Sequence, residues 1–258
     1  MHNYMVFLRK EVMELLRAKR LLGLGAVFLF FAFTSPLLAR YMVEFLTHIV
    51  PAEEMLHVLI PAPVWMDSYG QFYSNLAQIG NLTIILMFMG AIAGERKQGT
   101  ADLLLTKGLG YTNFVLTKFT VAAAAIFITA LASILIVYFY TGMLFDTAGV
   151  AGDVLLGALV YVLFMTLILA ITLFCSVLTK SNVIAALFAF VGLILISTIR
   201  SLPGLGSGLL PGNLSNRTME ITVGYYHGDI LGNVLFTIGL IAVFLTLSIV
   251  VLKRQEGE

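Results

Sequence analysis

Two stretches of this sequence hold residue types at spacings that could do chemistry, and both fall short. Glu53-Glu54-Met55-Leu56-His57 pairs two carboxylates with a histidine, close to a paired-glutamate membrane-protease motif, but Val58 stands where that motif needs arginine. Gly94-x-x-x-x-Gly99-Thr100 has the glycine spacing of a phosphate-binding loop and lacks the lysine that must reach the β- and γ-phosphates. No His-Glu-x-x-His pair offers a zinc site. Ser207 lies among glycines without an oriented base, and His227 is near it in sequence only. The single cysteine, Cys175, cannot form a disulfide or a thiolate metal site within one chain. The expectation is a chain with no catalytic, cofactor or metal site of its own.

The elements that would position any site are apolar. Of 258 residues, 60% are hydrophobic and 11% charged, against about 25% charged in an ordinary soluble domain. Mean hydropathy is +0.99. This composition excludes a disordered chain, a nucleic-acid binder and an ordinary cytosolic enzyme. A bilayer-spanning helix needs roughly 20 mostly apolar residues, and six such runs can be read: 21–39, 75–94, 114–141, 154–179, 183–199 and 230–252. The expected fold is all-α and polytopic, one transmembrane domain with six spans and no separate soluble part. Lys and Arg are retained on the cytoplasmic side. With six spans, 12 of them fall on the side of the termini and 3 (Arg40, Arg200, Arg217) on the other. Both termini are therefore expected in the cytoplasm. Residues 1–20 show no cleavable small-residue site, so the first run is expected to stay as an anchor. The run 183–199 is short for a span. The segment 200–229, broken by Gly and Pro over 201–213, reads as external or re-entrant.

Residues 4–20 read as an amphipathic helix, with Tyr4, Met5, Leu8, Val12, Leu15 and Leu16 on one face. Lys10/Glu14 and Glu14/Arg17 can pair one turn apart. Such a helix lies in the headgroup plane, its Arg9, Lys10, Arg17, Lys19 and Arg20 meeting anionic lipid as an interfacial anchor. The aromatic cluster Trp65, Tyr69, Phe72 and Tyr73 fits an interfacial belt. At the end of the second run, Gly90 and Gly94 share a helix face and allow close helix approach. The connector 95–113 follows. Thr100 suits an N-cap, Asp102 favours the positive end of a helix dipole and Gly108 suits a left-handed stop, so a short helix is expected at 101–107. Thr112 or Asn113 would cap the third span. Leu103, Leu104 and Leu105 beside charged neighbours suggest docking against lipid or protein. Apart from Lys118, near the start of the third run, the six runs carry no Asp, Glu, Lys, Arg or His. That argues against the membrane-depth ionisable groups of proton-coupled carriers.

Residues 90–118 resemble the permease subunit of an ABC-2 type transporter: Glu95-Arg96 at the end of the second span, Gly99-Thr100, the leucine-rich helix with Leu103 and Leu104, and Lys118 opening the third. A similar layout is seen in the nitrous oxide reductase maturation permeases. The usual Pro-containing turn is replaced by Lys107-Gly108-Leu109-Gly110. The resemblance implies a cell-membrane exporter or extruder in which two permease subunits pair, as homo- or heterodimer. Separate ATPase subunits would hold the ATP and magnesium. It makes 95–108 a cytoplasmic coupling helix in which Glu95 and Arg96 fix the lever by charge pairing, Gly99 permits the bend and Thr100 caps the short helix. Two other readings fit the residues: a non-transporting scaffold or sensor binding a cytoplasmic partner, and an ion-coupled carrier or channel.

Overall fold

The computed structural model describes residues 2–49, 62–106, 109–199, 210–225 and 230–256. The Glu53–His57 stretch, Lys107, Gly108, Arg200, Ser207 and His227 lie outside them. Among the described residues every regular element is helical. In chain order they are α1 (His2–Arg17), α2 (Arg20–Ile49), α3 (Trp65–Asn75), a π-helical turn (Leu76–Gly80) and α4 (Asn81–Phe88). There follow α5 (Ala93–Lys97), α6 (Thr100–Thr106), α7 (Tyr111–Phe145), α8 (Ala151–Leu178), α9 (Asn182–Ile199), α10 (Gly212–Thr222) and α11 (Ile230–Glu256).

Five stretches are long and apolar enough to cross a membrane: 20–42, 65–97, 111–145, 151–178 and 230–255. The expected fifth span is a shorter apolar helix, with 17 residues in its apolar stretch. At 1.5 Å per residue that reaches about 26 Å, short of the roughly 30 Å hydrocarbon core. Three expected termini move. The first helix continues through Pro36 to Ile49. The third starts at Tyr111 behind Gly110, not behind Thr112 or Asn113, and no side chain caps it. The short connector helix begins on Thr100 itself.

Helix α8 is the centre of the bundle, with Met165, Leu167, Leu169, Ala170 and Leu173 fully buried. Helices α2 and α7 run side by side in the same direction. Phe33 meets Tyr140 edge to face at 6.3 Å, and the Arg40 guanidinium lies 5.9 Å from the Phe145 ring. The stretch from α3 to α5 runs parallel to α8, with Tyr73 on Tyr161 at 5.3 Å. Outward faces stay apolar: Val183, Leu187, Val191 and Leu195 on α9, and Leu231, Leu235, Val243 and Val250 on α11, are exposed. An apolar surface of that extent requires lipid or a protein partner.

Helix α10 packs against the first half of α8 in the opposite direction. Gly157 of α8 faces Thr222, and Gly224, just beyond α10, faces Asp153 at the start of α8. Of the segment read as external or re-entrant, this is the part the structure describes; 201–209 lies outside it.

Candidate coupling site

The second membrane stretch breaks before it ends. Residues 89–92 form turns rather than helix, and the interrupted backbone is satisfied from α8. The Ser176 hydroxyl donates to the Met89 carbonyl at 2.7 Å and accepts from the Ile92 and Ala93 N–H groups at 3.1 and 2.9 Å. One hydroxyl thus meets three backbone groups that would otherwise be buried without partners. Gly90 makes room from the other side: a methyl group there would lie 2.8 Å from the Asn182 amide nitrogen, and Gly94 faces the same side chain. Ser176→Ala should therefore destabilise the protein by about 1–3 kcal/mol, the cost of unsatisfied buried groups. Thermal unfolding reads the loss, and faster hydrogen exchange at the Ile92 and Ala93 amides localises it.

Beyond the break, α5 presents Glu95 and Arg96 inward. Arg96 is buried and donates to the carbonyl of Val177, one of the last-turn carbonyls of α8 that have no intrahelical partner. The chain then turns at Gly99, whose φ of +72° suits glycine. Thr100 does not cap α6 with its side chain as expected. Its hydroxyl instead donates to the Glu95 carbonyl at 3.1 Å, while the Gly99 carbonyl accepts from the Leu103 N–H at 3.3 Å. Ala101 is fully buried and Leu104 and Leu105 pack on the core, whereas Asp102 and Leu103 face out, Leu103 at 54% exposure.

Glu95 is 8% exposed and is held by two ammonium groups. Lys10 of α1 reaches its Oε1 at 2.6 Å and Lys118 of α7 reaches the same atom at 3.0 Å. Both lysines also hold Glu11 of α1, at 2.9 and 3.0 Å, and Lys10 pairs with Glu14 at 2.7 Å. The rings of Phe7 and Phe114 stack beside them at 5.7 Å, with the Lys10 ammonium 5.2 Å from Phe7 and that of Lys118 5.0 Å from Phe114. Three helices, α1, α5 and α7, are thereby clamped at one end of the bundle. Carboxylate oxygens of Glu11, Glu14 and Glu95 come within 4.8 Å of one another, a spacing that suits a cation. Two lysine ammonium groups already supply that positive charge.

The sequence places Glu95, Arg96, Gly99, Thr100, Leu103, Leu104 and Lys118 in one connector, and the structure adds α1 to it. Lys10, expected at the lipid surface, turns into the cluster, while Arg9, Arg17 and Lys19 remain exposed and Arg20 half-buried. The Lys10/Glu14 pair forms; among the described residues no ion pair joins Glu14 to Arg17. Glu11, Phe7 and Ser176 are the contributors that sequence reasoning missed. Glu11 carried one signal, an acid facing the buried side of an amphipathic helix. Ser176 carried none, since its partners lie more than 80 residues away.

Charge pairing sets the protonation of the exposed part of the cluster. Burial alone would lower the Lys10 pKa, but hydrogen bonds to Glu14, Glu95 and Glu11 outweigh it and hold it well above the usual lysine value. Burial would raise Glu14, yet the hydrogen bond from Lys10 and the charges of Lys118, Lys10 and Arg20 hold it below its ordinary 4.5. A carboxylate lowered on folding adds stability above its unfolded pKa and loses it as pH falls through the folded one. Lys10, raised on folding, keeps its contribution across the neutral and acid range. The unfolding temperature should therefore drop below about pH 4.5, and Glu14→Gln should flatten part of that acid limb in a pH series of melts.

Comparison with known proteins fits this architecture. An uncharacterized transmembrane protein of Bacillus subtilis (strain 168), YxlG, is 24% identical over 144 residues, 56% of this chain and 56% of that protein. The matched stretch thus spans about half the length of that curated relative. Residues 5–256 match the family described as ABC-2 family transporter protein. With that match running from α1 to the end of α11, the chain belongs to the ABC-2 transporter family of multi-pass membrane proteins.

Proposed function

We propose that this chain is the permease subunit of an ATP-driven exporter or extruder, with ATP bound and hydrolysed on a separate ATPase subunit. The observation that carries the reading is the clamped elbow. Helices α5 and α6 join two membrane stretches, and α6 turns Asp102 and Leu103 outward. Arg96, Ser176, Lys10 and Lys118 tie the elbow's inner side to α8, α1 and α7. A motor gripping the outer side moves several membrane helices as one body. In this reading the elbow and both termini are cytoplasmic, α1 lies in the headgroup plane, and α9 provides the sixth crossing. The substrate path runs between two permease copies, and its apolar walls suit a lipid-like or amphipathic cargo.

The test is isolation of the tagged chain from its native membranes. A stoichiometric ATPase should come with it, and Leu103→Glu, on an exposed position, should release that ATPase without changing the melt of the permease. Retention of the ATPase by Leu103→Glu, or transport in liposomes by this chain alone, would overturn the assignment.

A further inference from the structure

Two neighbouring membrane helices lose their regular hydrogen bonding at the same level. In α2, Pro36 sits inside the helix. It has no N–H to give the Ala32 carbonyl, and helices kink at such points. In the second membrane stretch the turn Leu76–Gly80 is π-helical. The Asn81 N–H reaches back five residues to the Leu76 carbonyl and passes over that of Ala77. The Asn81 side chain fills the gap, its Nδ2 donating to the Ala77 carbonyl at 3.1 Å. Turns of this kind concentrate at functional positions. One hydrogen bond joins the two irregular points. Asn75, the last residue before the π turn, donates from Nδ2 to the Oγ of Ser35, the residue before Pro36, at 3.1 Å.

Packing changes at the same level. Before Pro36, α2 buries Leu24, Phe28, Phe31, Ala32 and Ser35. After it, none of the described side chains at 37–42, 44 and 45 is buried. Segments with few buried contacts are the ones that open most readily. Helix α3 packs along α2, and hydroxyl contacts hold it to the rest of the bundle. The Tyr69 hydroxyl donates to the Ala148 carbonyl, in the connection between α7 and α8, at 2.8 Å, and the Tyr73 hydroxyl lies 3.3 Å from that of Thr222 in α10. Ser68, beside Tyr69, is fully buried, and its hydroxyl has no hydrogen-bond partner. Such a group is costly to keep out of water, and the cost is relieved where water can enter.

We propose that α3 and the part of α2 beyond Pro36 form one flap, hinged on the line from Pro36 to Leu76–Gly80 and latched shut by Tyr69 and Tyr73. The flap lies at the end of the bundle away from the charge cluster. The Asn75–Ser35 hydrogen bond keeps the two hinge points together as it turns. Swinging the flap out breaks both tyrosine contacts and opens a cleft lined by the hydroxyls of Ser68, Tyr69, Tyr73 and Thr222, polar groups in a bundle packed mostly with apolar side chains. The hinge belongs to this chain alone, so its test is separate from that of the permease reading.

Spin labels at Val64→Cys, at the tip of the flap, and Leu235→Cys of α11 occupy exposed positions. In a Cys175→Ala background of the full chain in lipid nanodiscs, pulsed electron resonance between them reads the flap's position. The latched protein should give one main distance. Tyr69→Phe/Tyr73→Phe keeps both rings and removes both hydroxyls, and should raise the share of a longer distance at least threefold. Two changes should suppress that distance by straightening the hinge. Pro36→Ala restores an N–H for the Ala32 carbonyl, and deletion of Ala77 turns the Asn81–Leu76 hydrogen bond into an ordinary α-helical one. Labels at Ile128→Cys of α7 and Leu235→Cys, both off the flap, should keep one distance throughout. A longer distance that grows with the two phenylalanines and is suppressed by either hinge change carries the proposal. A single distance in the Tyr69→Phe/Tyr73→Phe protein, a longer one untouched by both hinge changes, or a matching change in the off-flap pair overturns it.

Discussion

Replacing Lys118 with methionine should destabilise the protein by about 3–5 kcal/mol, the usual cost of removing one partner from a buried ion pair. Lys118 is 3% exposed and its ammonium is shared by Glu11 and Glu95. Methionine keeps the length of the stem beside Phe114 and removes only the charge. Two carboxylates would then depend on Lys10, whose side chain is 38% exposed and which already serves Glu14. Lys10 already pairs with all three carboxylates, so a single ammonium would be left to balance them and α7 would lose its ionic tie to α1 and α5. The melt of the purified chain measures the loss. Adding Glu95→Gln should recover a large part of it, because the neutral amide no longer needs a buried counter-charge. A loss below about 1 kcal/mol, or full additivity of the two changes, would mean that the cluster is solvated and does not clamp. If the proposed ATPase subunit grips α6, the same variant in a reconstituted complex should keep ATP hydrolysis while transport falls, since the grip on α6 survives and its connection to α7 does not.

The membrane helices were legible because a bilayer imposes the strongest pattern a sequence can carry: long runs in which even one charge is costly. Five of the six runs reappear as long apolar helices, and the sixth is weak for the reason visible beforehand, its length. Local signals at the termini did worse. Thr100 looked like a side-chain cap and instead bonds the carbonyl of Glu95, since a buried carbonyl five residues back competes for the same hydroxyl. Thr112 and Asn113 looked like caps and lie inside α7, because Gly110 starts the helix earlier. The connector was legible as a motif, with Glu95, Arg96 and Lys118 at their spacings. Its partner helix was only half legible. Periodicity gave α1 an apolar face, yet Phe7 is buried while Met5, Val12 and Leu16 are exposed. Lys10 read as a lipid anchor because a surface helix alone gives no hint that Glu95, 85 residues on, will compete for it. What a sequence withholds here is the long-range partner of a polar group, as Lys10 with Glu95 and Ser176 with Ile92 and Ala93 show.

The Gly157→Ala variant should prise α10 from α8. A methyl group there would overlap Thr222 Oγ1 and lie 3.0 Å from the Thr218 carbonyl oxygen and 3.3 Å from Thr222 Cβ. Glycine at a helix–helix contact lets backbones approach closely, and no rotamer change relieves a clash with a backbone oxygen. Overpacking of this kind costs about 1–3 kcal/mol, and Gly157→Leu should exceed it. The Thr222 hydroxyl cannot simply rotate away, because it donates to the Thr218 carbonyl at 2.8 Å and lies 3.3 Å from the Tyr73 hydroxyl. Thr222→Ala removes the closest atom, so the double variant should melt above Gly157→Ala, even though Thr222→Ala by itself loses the Tyr73 contact. If the single and double variants melt alike, α10 rests on the Thr218 backbone contact rather than on Thr222. Helix α8 carries Gly157 near one end and Ser176 and Val177, the anchors of the elbow, at the other. As one unbroken helix it shifts at both ends together, so under the proposed permease role a displaced α10 should lower transport without lowering ATP hydrolysis by the partner subunit.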